Sequence, residues 1–280
     1  MKKQEINKFR YKKHLGQNFL HNTSKIGQMA AIIDAKPDET VIEIGPGAGA
    51  LTKELIKTAG KVIAVELDPE AIDRLKEKIG EPANLEIINY DFLKLDLPAL
   101  YSTHNPQPST RLKVVGNIPY YITAPIIEKL IDNKRLISKA WLTVQKEVGD
   151  RMAAPEGSKT YGSLSVFCQF NSKVKKLLKI DRKSFFPVPD VDSAFMELDF
   201  SGKKPVDVKD DKFFFRIMHA GFSQRRKMFI NNIKRELDIT ADAALAAFKQ
   251  AGIDEKARAE DVSILNFAKL SDVLYNNLNK

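Results

Sequence analysis

The chain has 280 residues, 43% of them apolar, enough to fill one large domain and a second, smaller one. No apolar run approaches the roughly 20 residues that span a bilayer. The opening "MKKQEINKFRYKK" has neither the apolar stretch of a secretory signal nor the Ser-rich, acid-poor make-up of a transit peptide, so a cytoplasmic location is expected. The lone Cys168 excludes an internal disulfide and reads as a small core residue. His14, His21, His104 and His219 show no paired zinc-ligand spacing, so no metal is expected.

A net charge of +9 calls for an anionic partner, and its location matters more than its size. Basic residues cluster at Lys2–Lys13, at Lys173–Lys183 and in "QRRK", Gln224–Lys227. Any one such run reads as a solvated face; three of them, two beside aromatics, point to nucleic acid.

In chain order, apolar runs of strand length ("TVIEIG", "KVIAVEL", "LEIINYD", "LKVVGN", "AWLTVQ") alternate with helical patterns ("ALTKELIKTAG", "PEAIDRLKEKIG", "APIIEKLIDNK"). That alternation predicts an α/β fold, a mostly parallel sheet covered on both faces. Pro98–Arg111, rich in Pro, Ser and Thr, reads as a surface loop. After Trp141, "SLSVFCQF", "KVKKLLKI" and "AFMELDF" look strand-like, and an antiparallel hairpin is expected to close one sheet edge. From "SGKKPVDVKDD" onwards the pattern is linker and then helix. This gives a domain of residues 1–202 and an all-helical domain of residues 203–280, with the boundary near Ser201 to Pro205.

"VIEIGPGAGALTKEL" places Gly45, Gly47 and Gly49 where the first long strand turns into a helix, a site at which backbone approaches a ligand closely. Gly45-x-Gly47-x-x-Ala50 also satisfies a dinucleotide fingerprint, so the loop alone leaves NAD and other adenosine cofactors open. Glu66, about 20 residues on, suits ribose hydroxyls. Asp91 suits an adenine amino group, and Asp68 before Pro69 reads as a helix cap. Acids at successive strand ends fit a cationic sulfonium cofactor better than a pyrophosphate.

"VVGNIPYYIT" would set Asn117 at a strand tip over the same crevice. Its side-chain oxygen and the carbonyl of Ile118 can accept both hydrogens of an exocyclic amine, Pro119 fixes the backbone between them, and the ring of Tyr120 can stack on a base.

"GNIPYYIT" resembles the Asn-x-Pro-Tyr motif of adenine-N6 methyltransferases, and the chain as a whole resembles the KsgA family of rRNA adenine dimethyltransferases. Matching segments run from "HLGQNFLHN" through "VIEIGPGAGALT", "VELD", "YDFL" and "FFPVPDVDSA" to "FSQRRKMFINN" and "RAEDVSILNFAKL".

The resemblance implies a Rossmann-like S-adenosylmethionine-dependent methyltransferase domain with a small helical C-terminal domain, releasing S-adenosyl-L-homocysteine. It implies cofactor contacts from Gln17, Asn18, Leu20, Gly45, Gly47, Glu66, Leu67, Asp91, Phe92 and Asn117. Asn117, Ile118, Pro119 and Tyr120 would do the chemistry, with Phe186 closing on a flipped base opposite Tyr120. One of Phe185 and Phe186 is expected in the core. Arg225, Arg226 and Lys227, read as opening a helix, would contact rRNA phosphates. The implied substrate is a pair of adjacent adenosines in the 3′-terminal hairpin of 16S rRNA, within an immature 30S subunit, and the enzyme is expected to be a monomer.

Three alternatives remain at this point. Ile118 is more usual in the Erm relatives, which methylate large-subunit rRNA. A non-catalytic assembly factor and a dinucleotide-dependent oxidoreductase are the others.

Overall fold

The computed structural model describes residues 18–104 and 110–279. Its first elements are β1 (Phe19–Leu20), α1 (Thr23–Ile33), β2 (Thr40–Ile44), α2 (Thr52–Leu55), β3 (Lys61–Glu66), α3 (Pro69–Ile79), β4 (Leu85–Asn89), α4 (Leu97–His104), β5 (Leu112–Asn117), α5 (Thr123–Asp132) and β6 (Ile137–Gln145). There follow α6 (Lys146–Met152), α7 (Ser163–Asn171), β7 (Lys173–Ile180), β8 (Phe185–Phe186) and β9 (Ser193–Asp199). The chain closes with α8 (Asp211–Phe222), α9 (Phe229–Leu237), α10 (Ala241–Ala251) and α11 (Ile264–Leu278).

Seven strands form one sheet in the order β4-β3-β2-β5-β6-β9-β7. Pairings β4-β3, β3-β2, β2-β5 and β5-β6 are parallel, and β6-β9 is antiparallel. Every residue of β2 is buried, as its β-branched run requires of a strand covered on both faces. β9, antiparallel to β6, and then β7 form that edge of the sheet.

Crossovers carry the chain outward from β2 to β3 and β4, then back across the sheet to β5. The strand order therefore reverses between β2 and β5, and a crevice opens there at the carboxyl ends. Local chemistry fixes the helices that follow the strands. Asp68 caps α3 by accepting the Glu70 N–H (3.1 Å), Pro69 begins it, and Gly80 at φ 75° ends it. β1 and β8 pair separately, Phe19 opposite Phe186 and Leu20 opposite Phe185.

The structure divides into two compact units, the first running through Gly149 and resuming over Lys175–Ser201, the second comprising Asp150–Val174 and Gly202–Lys280. The division is thus not one crossing near residue 202, because residues 150–174 go with the helices. The reason lies in "SLSVFCQF", which is helix α7 and not a strand. Its alternating apolar residues suit either state, and packing decides: Phe170 stacks on Phe214 at 4.2 Å between centroids, and Ser165 Oγ accepts the Gly162 N–H at the start of the helix. Phe214, Phe229, Phe248 and Phe267 centre this unit's core.

Two more expectations change. Half of the supposed loop Pro98–Arg111 is helix α4, begun by Asp96, whose carboxylate accepts the Ala99 N–H (3.0 Å). "QRRK" does not open a helix; it forms the turn between α8 and α9, closed by the Lys227 N–H donating to the Gln224 carbonyl (3.0 Å). Among the described residues no helix is long and apolar enough to cross a membrane.

Candidate active site

Strand register assembles the crevice. Ile44 lies opposite Val65 on one side and Gly116 on the other, so the residues that follow in each strand, Glu66, Gly45 and Asn117, come side by side. β4 adds the end of a fourth strand through Asn89 opposite Glu66. Residues separated by tens of positions therefore share one rim.

The glycine turn is built for close approach. Gly45, Gly47 and Gly49 all have positive φ (64°, 55° and 78°), a conformation that costs other residues roughly 1–2 kcal/mol. A Cβ on Gly47 would stand 2.6 Å from Cε1 of Phe19, so the β1 ring lies directly on the turn.

Glu66 is 8% exposed and accepts two backbone N–H groups, Gly47 at Oε2 (3.1 Å) and Asp68 at Oε1 (3.0 Å). Burial raises its pKa above the usual carboxylate range, and these two donors pull it back down. The bonding of the loop bears on the ligand. Gly45 N–H donates to the Val65 carbonyl, Gly49 N–H to the Pro46 carbonyl and Gly47 N–H to a carboxylate, so the turn is not arranged as an anion cradle. With the second carboxylate of Asp91 on the same wall, the donor set suits a cationic adenosine cofactor and not a pyrophosphate.

Two adjoining cavities, about 330 and 120 Å3, share Phe19, Gly45 and Asn117 as lining residues. The smaller is walled by Asn18, Gly47, Glu66, Leu67, Asp91 and Phe92, and at the β5 end by Ile118, Pro119 and Tyr120. The larger holds Leu20 and Phe186. Asp91, two residues past the end of β4, caps the short turn that follows by accepting the Leu93 N–H (2.9 Å), so it both holds that turn and faces the cavity.

Asn117 is oriented by a contact 99 residues away in sequence: its Nδ2 donates to the Asn18 carbonyl (2.8 Å), which leaves Oδ1 as the acceptor of that amide. Ile118 buries its side chain to 3% exposure against Gly116, anchoring the backbone at this point, and Pro119 follows at φ −59°. The Tyr120 hydroxyl is 2.8 Å from Ser193 Oγ, and burial keeps the phenol above its ordinary range and so neutral.

Phe185 and Phe186 divide as strand alternation requires, Phe185 into the core at 1% exposure and Phe186 towards the larger cavity. Phe186 and Tyr120 line different cavities, with Asn117 common to both. Gln17, His14 and the basic run Lys2–Lys13 lie outside the described residues.

Arg225, Arg226 and Lys227 are exposed on the α8–α9 turn of the helical unit. Arg225 Nη2 donates to Glu260 Oε2 (3.0 Å) and to the Lys159 carbonyl (3.0 Å), a role in holding the turn that the sequence did not announce.

Another residue missed from sequence is Glu43, 3% exposed inside apolar β2 and lining the larger cavity, with no hydrogen-bond partner at Oε2. Burial pushes its pKa up to about 7, and the Glu66 charge adds to the rise. A carboxylate within "TVIEI" was the available signal.

The family model for ribosomal RNA adenine dimethylase matches residues 8–276. The chain belongs to the ribosomal RNA adenine dimethylase family. Within that family it is 40% identical over 278 residues to a protein of Clostridium botulinum (strain Kyoto / Type A2) named ribosomal RNA small subunit methyltransferase A, covering 99% of each chain. A protein of the same name from Bacillus mycoides (strain KBAB4) is 40% identical over 269 residues, 95% of this chain and 92% of its own.

Among solved structures, this dimethylase-family chain is similar to a dimethyladenosine transferase from Plasmodium falciparum (TM-score 0.75, 25% identity, 90% of this chain and 95% of that one). It is also similar to the 23S rRNA methyltransferase ErmE (TM-score 0.73, 27% identity, 92% and 100%).

Proposed function

We infer that this enzyme transfers methyl groups from S-adenosylmethionine to N6 of two adjacent adenosines in the 3′-terminal hairpin of 16S rRNA, dimethylating each. The observation that carries the reading is Asn117 beside Gly45, its Nδ2 committed to the Asn18 carbonyl, so that Oδ1 serves as acceptor at the cavity shared with Glu66 and Asp91. Family membership and the small-subunit name of relatives at 40% identity over nearly the whole chain support the substrate.

S-adenosylmethionine, when bound, supplies an electrophilic methyl group. Glu66 and Asp91 would take its ribose hydroxyls and adenine amine, Leu67 and Phe92 the flat faces of its adenine, and Glu43 sets a carboxyl group in the wall of the larger cavity. Gln17, Asn18 and Leu20 are assigned to covering it.

The target N6 is a poor nucleophile because its lone pair is delocalised into the purine. Asn117 Oδ1 and the Ile118 carbonyl accept its two hydrogens and favour a tetrahedral nitrogen, whose lone pair then becomes available. Pro119 holds the two acceptors convergent, while Tyr120 and Phe186 hold the extruded base. Tyr120, kept neutral, contributes its ring and not a base. Arg226 and Lys227, with Arg225 shaping their turn, bind rRNA phosphates. The partner is an immature 30S subunit, the enzyme acts as a monomer, and the cytoplasm is its location.

The test is methyl transfer from radiolabelled S-adenosylmethionine to 30S particles lacking the modification. Labelling of the small-subunit RNA is expected, with Asn117→Ala lowering it at least about 100-fold while the melting temperature holds, as for loss of a group that orients and polarises the reacting atom. Labelling of large-subunit RNA alone would move the assignment to the Erm activity.

A further inference from the structure

One ring at the mouth of the smaller cavity has no part in the scheme above. Tyr121 lines that cavity yet is 63% exposed, the most exposed of the large apolar side chains among the described residues. Its neighbour Tyr120 is turned inward to Ser193. Residues 120–122 form a single 3-10 turn, in which successive side chains diverge by about 120°, so two consecutive tyrosines leave the same stretch of cavity wall in different directions.

The turn is held firmly. The Ile122 N–H donates to the Pro119 carbonyl (3.2 Å), Thr123 Oγ1 donates to the Tyr120 carbonyl (3.0 Å), and α5 follows at once. A tyrosine carried on a backbone held in this way has only its two side-chain torsions left to lose when something stacks on it.

Extruding a base from its strand strips a stacking partner from each neighbouring base. A rigid aromatic face beside the entry point replaces one of those partners without regard to base identity. We propose that Tyr121 stacks on the nucleobase flanking the one presented to Asn117 and Tyr120 at the β5 end of that cavity, holding the RNA strand there while those two residues engage the target. This deepens the functional reading above and rests on it.

Steady-state methylation of unmodified 30S particles tests the proposal. Tyr121→Ala should raise KM for the particle about 5- to 100-fold, the size of one lost base–aromatic stack, with kcat within about two-fold and S-adenosylmethionine affinity unchanged. Tyr121→Phe and Tyr121→Trp should restore KM, whereas Tyr121→Leu, apolar but without a flat ring, should not.

An unchanged KM in Tyr121→Ala, or full rescue by Tyr121→Leu, overturns the proposal alone and leaves the methyltransferase assignment standing. Wild-type protein that labels no RNA overturns that assignment and this proposal together.

Discussion

The carboxyl ends of β2, β3 and β5 and the core of the helical unit bury residues in opposite ways. At the strand ends Glu43, Glu66, Asp68 and Thr52 are all under 9% exposed, three glycines hold positive φ, and Glu43 Oε2 and Thr52 Oγ1 have no hydrogen-bond partner. In the helical unit the buried volume is filled by rings, with Phe229 packed on Phe248 and Phe267 at 5.1 and 5.0 Å. Its buried Asn232 donates to the Gly221 carbonyl (2.9 Å). One region gathers buried carboxylates and left-handed glycine backbone where a ligand can use them, and the other, the unpartnered Tyr161 hydroxyl apart, converts burial into stability.

If this contrast holds, Phe229→Ala is the most damaging single change to stability, costing about 3–5 kcal/mol in chemical denaturation while leaving S-adenosylmethionine affinity unchanged below the unfolding transition. A loss under about 1 kcal/mol would mean the aromatic cluster is not the unit's stabilising core.

Glu43 sharpens the other side. Its folded pKa of about 7 lies above the ordinary glutamate value of 4.5, so between those values the folded protein keeps a proton that the unfolded chain has released, and stability falls as pH rises. The full cost, on the order of 3 kcal/mol, is present above pH 7 and absent below about 4.5. Glu43→Gln should flatten this slope in melting temperatures taken from pH 5 to 8 and leave the variant more stable than wild type at pH 8. An unaltered slope would mean that Glu43 ionises freely in the folded state.

Gly47→Ala tests whether the left-handed turn serves binding. The left-handed backbone should cost roughly 1–2 kcal/mol of stability, and the Cβ must displace the Phe19 ring. Calorimetric titration is expected to show S-adenosylmethionine bound at least about ten-fold more weakly. Unchanged affinity would detach the turn from the ligand.

The smallest effects separate neighbouring arginines. Arg225→Ala removes an exposed ion pair and should cost under about 1 kcal/mol in stability. Arg226→Ala should leave stability unaltered and lower the slope of log affinity for rRNA against log salt by about one. Identical behaviour of the two would remove the distinction between shaping the turn and contacting RNA.

The strands on either side of the switch point were legible because Val41, Ile42, Val62 and Val114 sit in β-branched runs that only a doubly covered strand tolerates, and all four are 0% exposed. Helix α3 was legible from Asp68 and Pro69. "SLSVFCQF" was not, since its apolar alternation fits a strand until Phe214 arrives from 44 residues away to stack on Phe170. Nor was Glu43, because a carboxylate in a buried strand has meaning only once a cavity is known to open beside it.

By itself the sequence determined strands β2 to β6 with helices α3 and α5, the turn at Gly45, and an Asn-Ile-Pro-Tyr segment capable of gripping an amine, since these follow from periodicity, backbone freedom and side-chain chemistry within short stretches. Tertiary structure alone decided that Glu66, Gly45 and Asn117 share one rim, that Asn18 orients Asn117, that Phe186 and not Phe185 faces the cavity, and that Arg225 holds a turn. Each of these depends on strand register or on a hydrogen bond between residues remote in the chain. Such contacts form only after the intervening segments have packed, so no local pattern encodes them.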